Sequence, residues 1–138
     1  MNTSTLIKKA ARLLEKKANL LLKPHDITHG YTYFLMELYK RDGQTQTELQ
    51  QAVGGIEHPT VVRTLDRMQR DGLIQRRPSA TDRRAFLIFL TDKGRATQKN
   101  VLNSAQALNQ KMLSSFSKEE QLQFQSLLCR LIENLDNS

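Results

Sequence analysis

Pro59-Thr-Val-Val-Arg-Thr-Leu-Asp-Arg-Met-Gln-Arg-Asp-Gly-Leu-Ile74 runs directly into Gln75-Arg-Arg-Pro-Ser-Ala-Thr-Asp-Arg-Arg-Ala-Phe-Leu-Ile-Phe-Leu-Thr91, and this stretch decides the fold. Its first half places Val62, Leu65 and Met68 on one side, with Val61 at the boundary, and Thr60, Arg63, Thr64 and Arg67 on the other. That spacing predicts a helix with one apolar and one basic face. Pro59 suits a first helical position, whose N–H has no intrahelical partner, and Gly72 suits the residue that follows Asp71. The second half holds two β-prone runs, 74–77 and 85–90, around Pro78-Ser-Ala-Thr-Asp82, and is predicted to form a two-stranded hairpin with arginines at its tip. Such a helix fits the major groove of DNA, and an arginine-tipped hairpin beside it reaches the backbone or the minor groove.

Upstream, Thr45-Gln-Thr-Glu48 has capping-box spacing and opens a short helix carrying Leu49, Ala52 and Val53, stopped by Gly54-Gly55. Together with the helix from Pro59 it makes a helix-turn-helix. A helix from about Thr28 to Lys40 precedes it, with Tyr31, Phe34, Leu35 and Leu38 as its buried stripe. An earlier helix over 5–22 carries Leu6, Ile7, Ala10, Leu13, Leu14, Ala18 and Leu21, and Lys23-Pro24 ends it. Downstream, Thr91 is predicted to cap one continuous helix over 92–115, with Val101, Leu102, Ala105, Leu108, Met112 and Leu113 on one face. Ser117-Lys-Glu-Glu120 is a second capping box, and the last helix carries Phe124, Leu127, Leu128, Leu131, Ile132 and Leu135. The expected fold is therefore mainly α with a small β-hairpin. One domain spans 1–138: a winged helix-turn-helix core over 28–95, with dimerisation helices over 1–22 and 96–136. The terminal helices have more apolar face than their neighbours can cover, and a twofold dimer would present two recognition helices to a palindromic site.

Charge points the same way. The 138 residues carry a formal net charge of +7, which favours a polyanionic partner. Eight of the eleven arginines fall within residues 57–95, and arginine has the planar fork that binds guanine edges and phosphates in two-point fashion. The candidates for base reading are Pro59, Thr60, Arg63 and Thr64, because the start of such a helix enters the groove deepest. Arg67 adds to the basic face, and His58 is expected to contact phosphate or cap the helix. At the hairpin tip Arg83 and Arg84 suit a narrow minor groove, while Asp82 is expected to hold a neighbouring arginine or the loop itself.

The run from Leu49 to Ile74, the Thr81-Asp-Arg-Arg-Ala85 wing and the Leu90-Thr-Asp-Lys-Gly94 helix start resemble the MarR family, and within it the SlyA-type regulators. The resemblance extends over about residues 5 to 135. It implies a homodimer that binds pseudo-palindromic promoter sites, as a repressor or by displacing nucleoid proteins. It also implies Arg63 as the principal base-reading arginine, and Arg84 with Arg83 in the minor groove. Many family members answer to small phenolic or other aromatic anions. The resemblance sets an effector pocket along residues 29–36, where this chain offers His29, Tyr31, Tyr33 and Met36.

Other classes find little support. The single cysteine, Cys129, allows no intrachain disulfide, and an inert packing role is expected for it. His25, His29 and His58 form no zinc-type spacing with it, so no metal and no cofactor are expected. No glycine-rich phosphate loop or nucleophile elbow is seen, so no catalytic residue is assigned. The chain opens on no signal peptide and has no apolar run near the ~20 residues of a membrane span, so a cytoplasmic protein is expected. Two rivals share the basic surface: a winged helix that coats DNA with little sequence preference, and one that meets an acidic protein.

Overall fold

Among the described residues, the chain runs α1 (Thr3–Leu22), a single 3-10 turn (Lys23–His25), α2 (His29–Lys40), β1 (Gln44–Thr45), α3 (Gln46–Val53), α4 (His58–Arg70), β2 (Ile74–Pro78), β3 (Phe86–Leu90), α5 (Asp92–Ala96), α6 (Gln98–Met112) and α7 (Lys118–Asp136). The computed structural model describes residues 1–137. They form two compact units, one over 1–105 and one from 106 onward. The fold is mainly helical with one small antiparallel sheet, and the four helices before the hairpin follow the order read from the sequence.

The core of the first unit is built by the helix-turn-helix and the sheet. Phe34, Leu35 and Leu38 of α2, Leu49 of α3, Val61, Leu65 and Met68 of α4, Ile74 of β2 and Ile88 of β3 are almost fully buried in one cluster. Each such side chain contributes roughly 1.5–3 kcal/mol relative to leaving it in water. All four stripe residues of α2, Tyr31 included, are buried as expected.

Three expectations need correction. The sheet has three strands, in the order β1-β3-β2, where the sequence predicted two. The chain at Gly43 takes φ +69, its N–H donates to the Ile88 carbonyl (3.0 Å), and Gln44 and Thr45 then pair with Ile88 and Leu87. On α4, Leu65 and Met68 are buried as read, but Val61 is fully buried and Val62 only half-buried, so the two valines exchange places. The continuous helix over 92–115 is two helices, α5 and α6, and α6 ends at Met112. The break falls at Thr97. Its hydroxyl donates to the Gly94 carbonyl (2.5 Å) and pairs with the Tyr39 hydroxyl (2.6 Å), a local competition with the helical ladder that threonine favours. Gly94 itself lies so close to Leu73 that a β-carbon there would meet the Leu73 carbonyl oxygen, which fixes α5 under the sheet.

The second unit is a helical hairpin. Ser117 and Glu120 form the expected capping box at the start of α7. Phe116 and Phe124 meet edge to face, 5.8 Å between ring centres. Beside them Met112, Leu113, Leu122 and Leu128 line a hollow of about 370 Å3. Among the described residues none on α7 is buried, and Leu122, Leu127 and Ile132 are each more than half exposed. Cys129 on this helix is exposed rather than packed. On α1, Leu6, Ile7, Leu13 and Leu20 are likewise exposed, and only Ala18 and Leu22 are buried.

Candidate nucleic-acid interface

The helix-turn-helix begins with the capping box of α3: the Thr45 hydroxyl accepts from the Glu48 N–H (3.1 Å) and the Glu48 carboxylate accepts from the Thr45 N–H (3.1 Å). The turn that follows uses Gly54 at φ +71 and Gly55 at φ +73, a left-handed conformation that glycine adopts without steric cost. His58 then joins the two helices, its Nδ1 lying 3.0 Å from Gln50 Oε1. Val61, Leu65 and Met68 pin one side of α4 to the core, which turns the opposite side outward. His58, Pro59, Thr60, Arg63 and Arg67 are exposed there, and Thr64 is half-buried. Arg63 reaches back towards the Thr60 hydroxyl at 3.5 Å.

The wing is the β2–β3 hairpin. In register, Ile74 faces Leu90, Arg76 faces Ile88 and Pro78 faces Phe86. Its tip is closed by Ser79 N–H donating to the Ala85 carbonyl (3.0 Å). Asp82 orders the loop: its carboxylate accepts from the Arg84 backbone N–H at 3.0 Å, and its carbonyl accepts from the Ala85 N–H at 3.2 Å. The Asp82 carboxylate thus shapes the backbone on which Arg83 and Arg84 stand, and both arginines are exposed. On the outer face of the wing the Arg77 guanidinium stacks 4.6 Å from the Phe89 ring centre.

Two connections escaped the sequence reading. Arg76, on the inward face of β2, donates to Gln69 Oε1 (2.5 Å) and to Asp66 Oδ1 (3.0 Å), so one guanidinium bridges the wing to α4. Asp66 and Gln69 lie three residues apart on one flank of α4, which is the only signal the sequence carries for this fork. At the far end of α4 the Tyr31 hydroxyl donates to Asp71 Oδ2 (2.6 Å). Burial, then the Asp71 carboxylate, pushes the Tyr31 hydroxyl above its usual range, and the Tyr31 hydrogen bond holds the Asp71 carboxyl below its own.

The residues expected to line an effector pocket are distributed differently. His29 and Tyr33 pack together, with ring centres 5.1 Å apart, and Tyr33 is 46% exposed. Tyr31 lies in the core and points its hydroxyl at Asp71, while Met36 packs against the core cluster. Of the four, His29 borders an open polar hollow of about 630 Å3 that also has Asn19, Lys23 and Arg67 in its walls. Among the described residues no group of His, Cys, Asp and Glu is arranged to hold a metal ion, and no helix is long and apolar enough to cross a membrane.

A model of the MarR family matches residues 25–85 of this chain. The solved transcriptional regulator PA3341 is 31% identical, with a TM-score of 0.84, over 99% of this chain and 100% of that one. A mutant MarR from E. coli, solved in complex with operator DNA, is 25% identical, with a TM-score of 0.86, over 93% of this chain and 91% of that one. The transcriptional regulator SlyA shares the fold at a TM-score of 0.92, with 23% identity over 99% and 96% of the two chains.

Proposed function

The chain belongs to the MarR family, and from that premise we propose that it acts as a homodimeric, sequence-specific DNA-binding regulator of transcription. Family and fold are those of transcriptional regulators, not of enzymes. The observation that carries the reading is the outward stripe of Thr60, Arg63 and Arg67 on a helix whose other side is fully buried, joined through Arg76 to a wing tipped by Arg83 and Arg84. In this reading α4 enters the major groove. Arg63, with Pro59, Thr60 and Thr64, reads base edges, and His58 and Arg67 contact phosphate. Arg84 and Arg83 enter the adjacent minor groove from a tip ordered by Asp82. Phosphate neutralisation supplies most of the affinity, so binding falls steeply with salt.

A second copy of the chain covers the exposed apolar faces of α1 and α7 and brings two copies of α4 to one palindrome. A small aromatic anion is the proposed releasing effector. Tyr31 and Met36 are committed to internal packing, which leaves His29 and Tyr33 as its contacts, next to the polar hollow that Lys23 and Arg67 border together with Glu15 and Asp26.

Selection of the purified protein on a randomised duplex pool at ~150 mM salt tests the proposal. An enriched inverted repeat with half-sites about one helical turn apart is the expected result. Retained DNA without an enriched motif would remove sequence specificity from the reading and leave a DNA-coating winged helix. No retained DNA would defeat it in favour of an acidic protein partner.

A further inference from the structure

Asp71 ends α4 with a carboxylate where the helix dipole places partial negative charge, so the helix itself gains nothing from it. Arg70 Nε lies 3.5 Å from Asp71 Oδ1, a surface contact of small effect. The contact that distinguishes Asp71 comes from 40 residues away, the buried Tyr31 hydroxyl of α2 at 2.6 Å. Position matters here. Thr60, Thr64, Arg67 and Asp71 follow one another at steps of four, three and four, so Asp71 closes the same stripe of α4 that carries the proposed DNA contacts. Arg76 holds α4 elsewhere, on the flank that bears Asp66 and Gln69. We infer that Tyr31 and Asp71 form a strut that fixes the rotation of α4 about its own axis, which makes Tyr31 a positioning residue for base readout.

The inference rests on the DNA-binding reading above. Its leverage is geometric. Side chains project about 6 Å from a helix axis, so a 10° rotation displaces them by about 1 Å. Binding constellations tolerate displacements of about 0.5 Å. Loss of the strut therefore blurs sequence choice while leaving the charge that grips phosphate untouched.

The test uses the full chain, the duplex that the wild type enriches from a random pool, and a scrambled duplex of the same composition. Tyr31→Phe is expected to weaken binding to the enriched duplex about five- to tenfold and to leave the scrambled duplex unchanged, and Asp71→Ala, which also removes a negative charge from that stripe, to narrow the ratio between the two duplexes by the same factor. The double variant should lose no more than either single one. Asp71→Asn keeps an oxygen that accepts from the tyrosine hydroxyl and should retain most of the discrimination. Equal losses on both duplexes would overturn the positioning role, since a merely structural defect lowers both. Amide hydrogen exchange decides the point without DNA: residues 66–71 should exchange faster in Tyr31→Phe than in the wild type, with α7 unchanged. Unaltered exchange at the end of α4 would overturn the strut. Faster exchange there in Tyr31→Phe, combined with a wild type that enriches no duplex, would uphold the strut and defeat the DNA-reading function instead.

Discussion

The helices α4 and α7 are built from the same periodic alternation of apolar and polar residues, yet the single chain treats them in opposite ways. On α4 the apolar side chains Val61, Leu65 and Met68 have no exposed surface at all, and the polar face is what the molecule presents. On α7 the apolar side chains are themselves the surface, with Leu122 69% and Leu127 51% exposed. Periodicity specifies that a helix has an apolar face; it does not specify what covers that face. For α4 the cover is the core of its own unit. For α7 and α1 the proposed cover is a second copy, and the contrast can be tested by asking how each helix responds to the loss of an apolar side chain.

The largest effect is expected at the buried end of the contrast. Leu65→Ala should lower unfolding free energy by about 2–5 kcal/mol, as cavity-forming truncations do, and by the same amount at every protein concentration. Urea unfolding at two concentrations a hundredfold apart checks both points. A loss below 1 kcal/mol would mean that α4 is not the keystone of its core. Next comes the outward face of the same helix. Arg63→Ala should cost about 1–3 kcal/mol on the selected duplex while leaving random duplex nearly unaffected, because it removes a base contact rather than a phosphate contact. Competition binding at fixed salt measures the ratio, and an equal loss on both duplexes would assign Arg63 to phosphate.

On α7 the response should differ in kind. Leu127→Ala removes a side chain that only a second copy would bury, at about 1–2 kcal/mol per chain. The loss should be full where wild type and variant are both dimeric and should vanish as the protein is diluted to single chains, and equilibrium sedimentation should show the variant dissociating at higher concentration than the wild type. A wild type that sediments as a single chain at all concentrations would remove the homodimer from the proposal.

How much of this could be read from residues alone follows the same division. Long helices with regular apolar steps were legible, and so were their ends, because Thr45–Glu48 and Ser117–Glu120 satisfy orphan amides through local chemistry alone. The glycine turn and the tip arginines of the wing were legible for the same reason. The strand β1 was not, since two residues carry no periodicity and Gln44 is placed by tertiary partners: its amide donates to the Glu37 and Arg41 carbonyls at the end of α2. The break at Thr97 depends on Tyr39, 58 residues away. The Arg76 fork and the Tyr31–Asp71 bond join residues that only the folded chain brings together. In the candidate interface the sequence identified which side chains face outward, and the structure supplied how they are held.

The smallest expected effect concerns that holding chemistry. Glu48 completes the capping box of α3 and also receives the Arg41 guanidinium. Arg41 first, then the Thr45 backbone N–H and hydroxyl, lower the Glu48 carboxyl from 4.5 to about 2. A carboxylate depressed in the folded state stabilises fully above its unfolded value and loses that contribution as pH falls through its folded value. Stability owed to Glu48 should therefore be constant from neutral pH to about pH 5 and disappear between about pH 4.5 and pH 2. Glu48→Gln preserves the capping geometry without the charge, so the gap in urea midpoint between wild type and variant should shrink over that window. The group is solvent-exposed and the gap correspondingly small, so it is best read as a slope against pH. A gap that stays constant down to pH 2 would show that the cap works through geometry alone, and that the Arg41 charge adds nothing to the α3 entry of the helix-turn-helix.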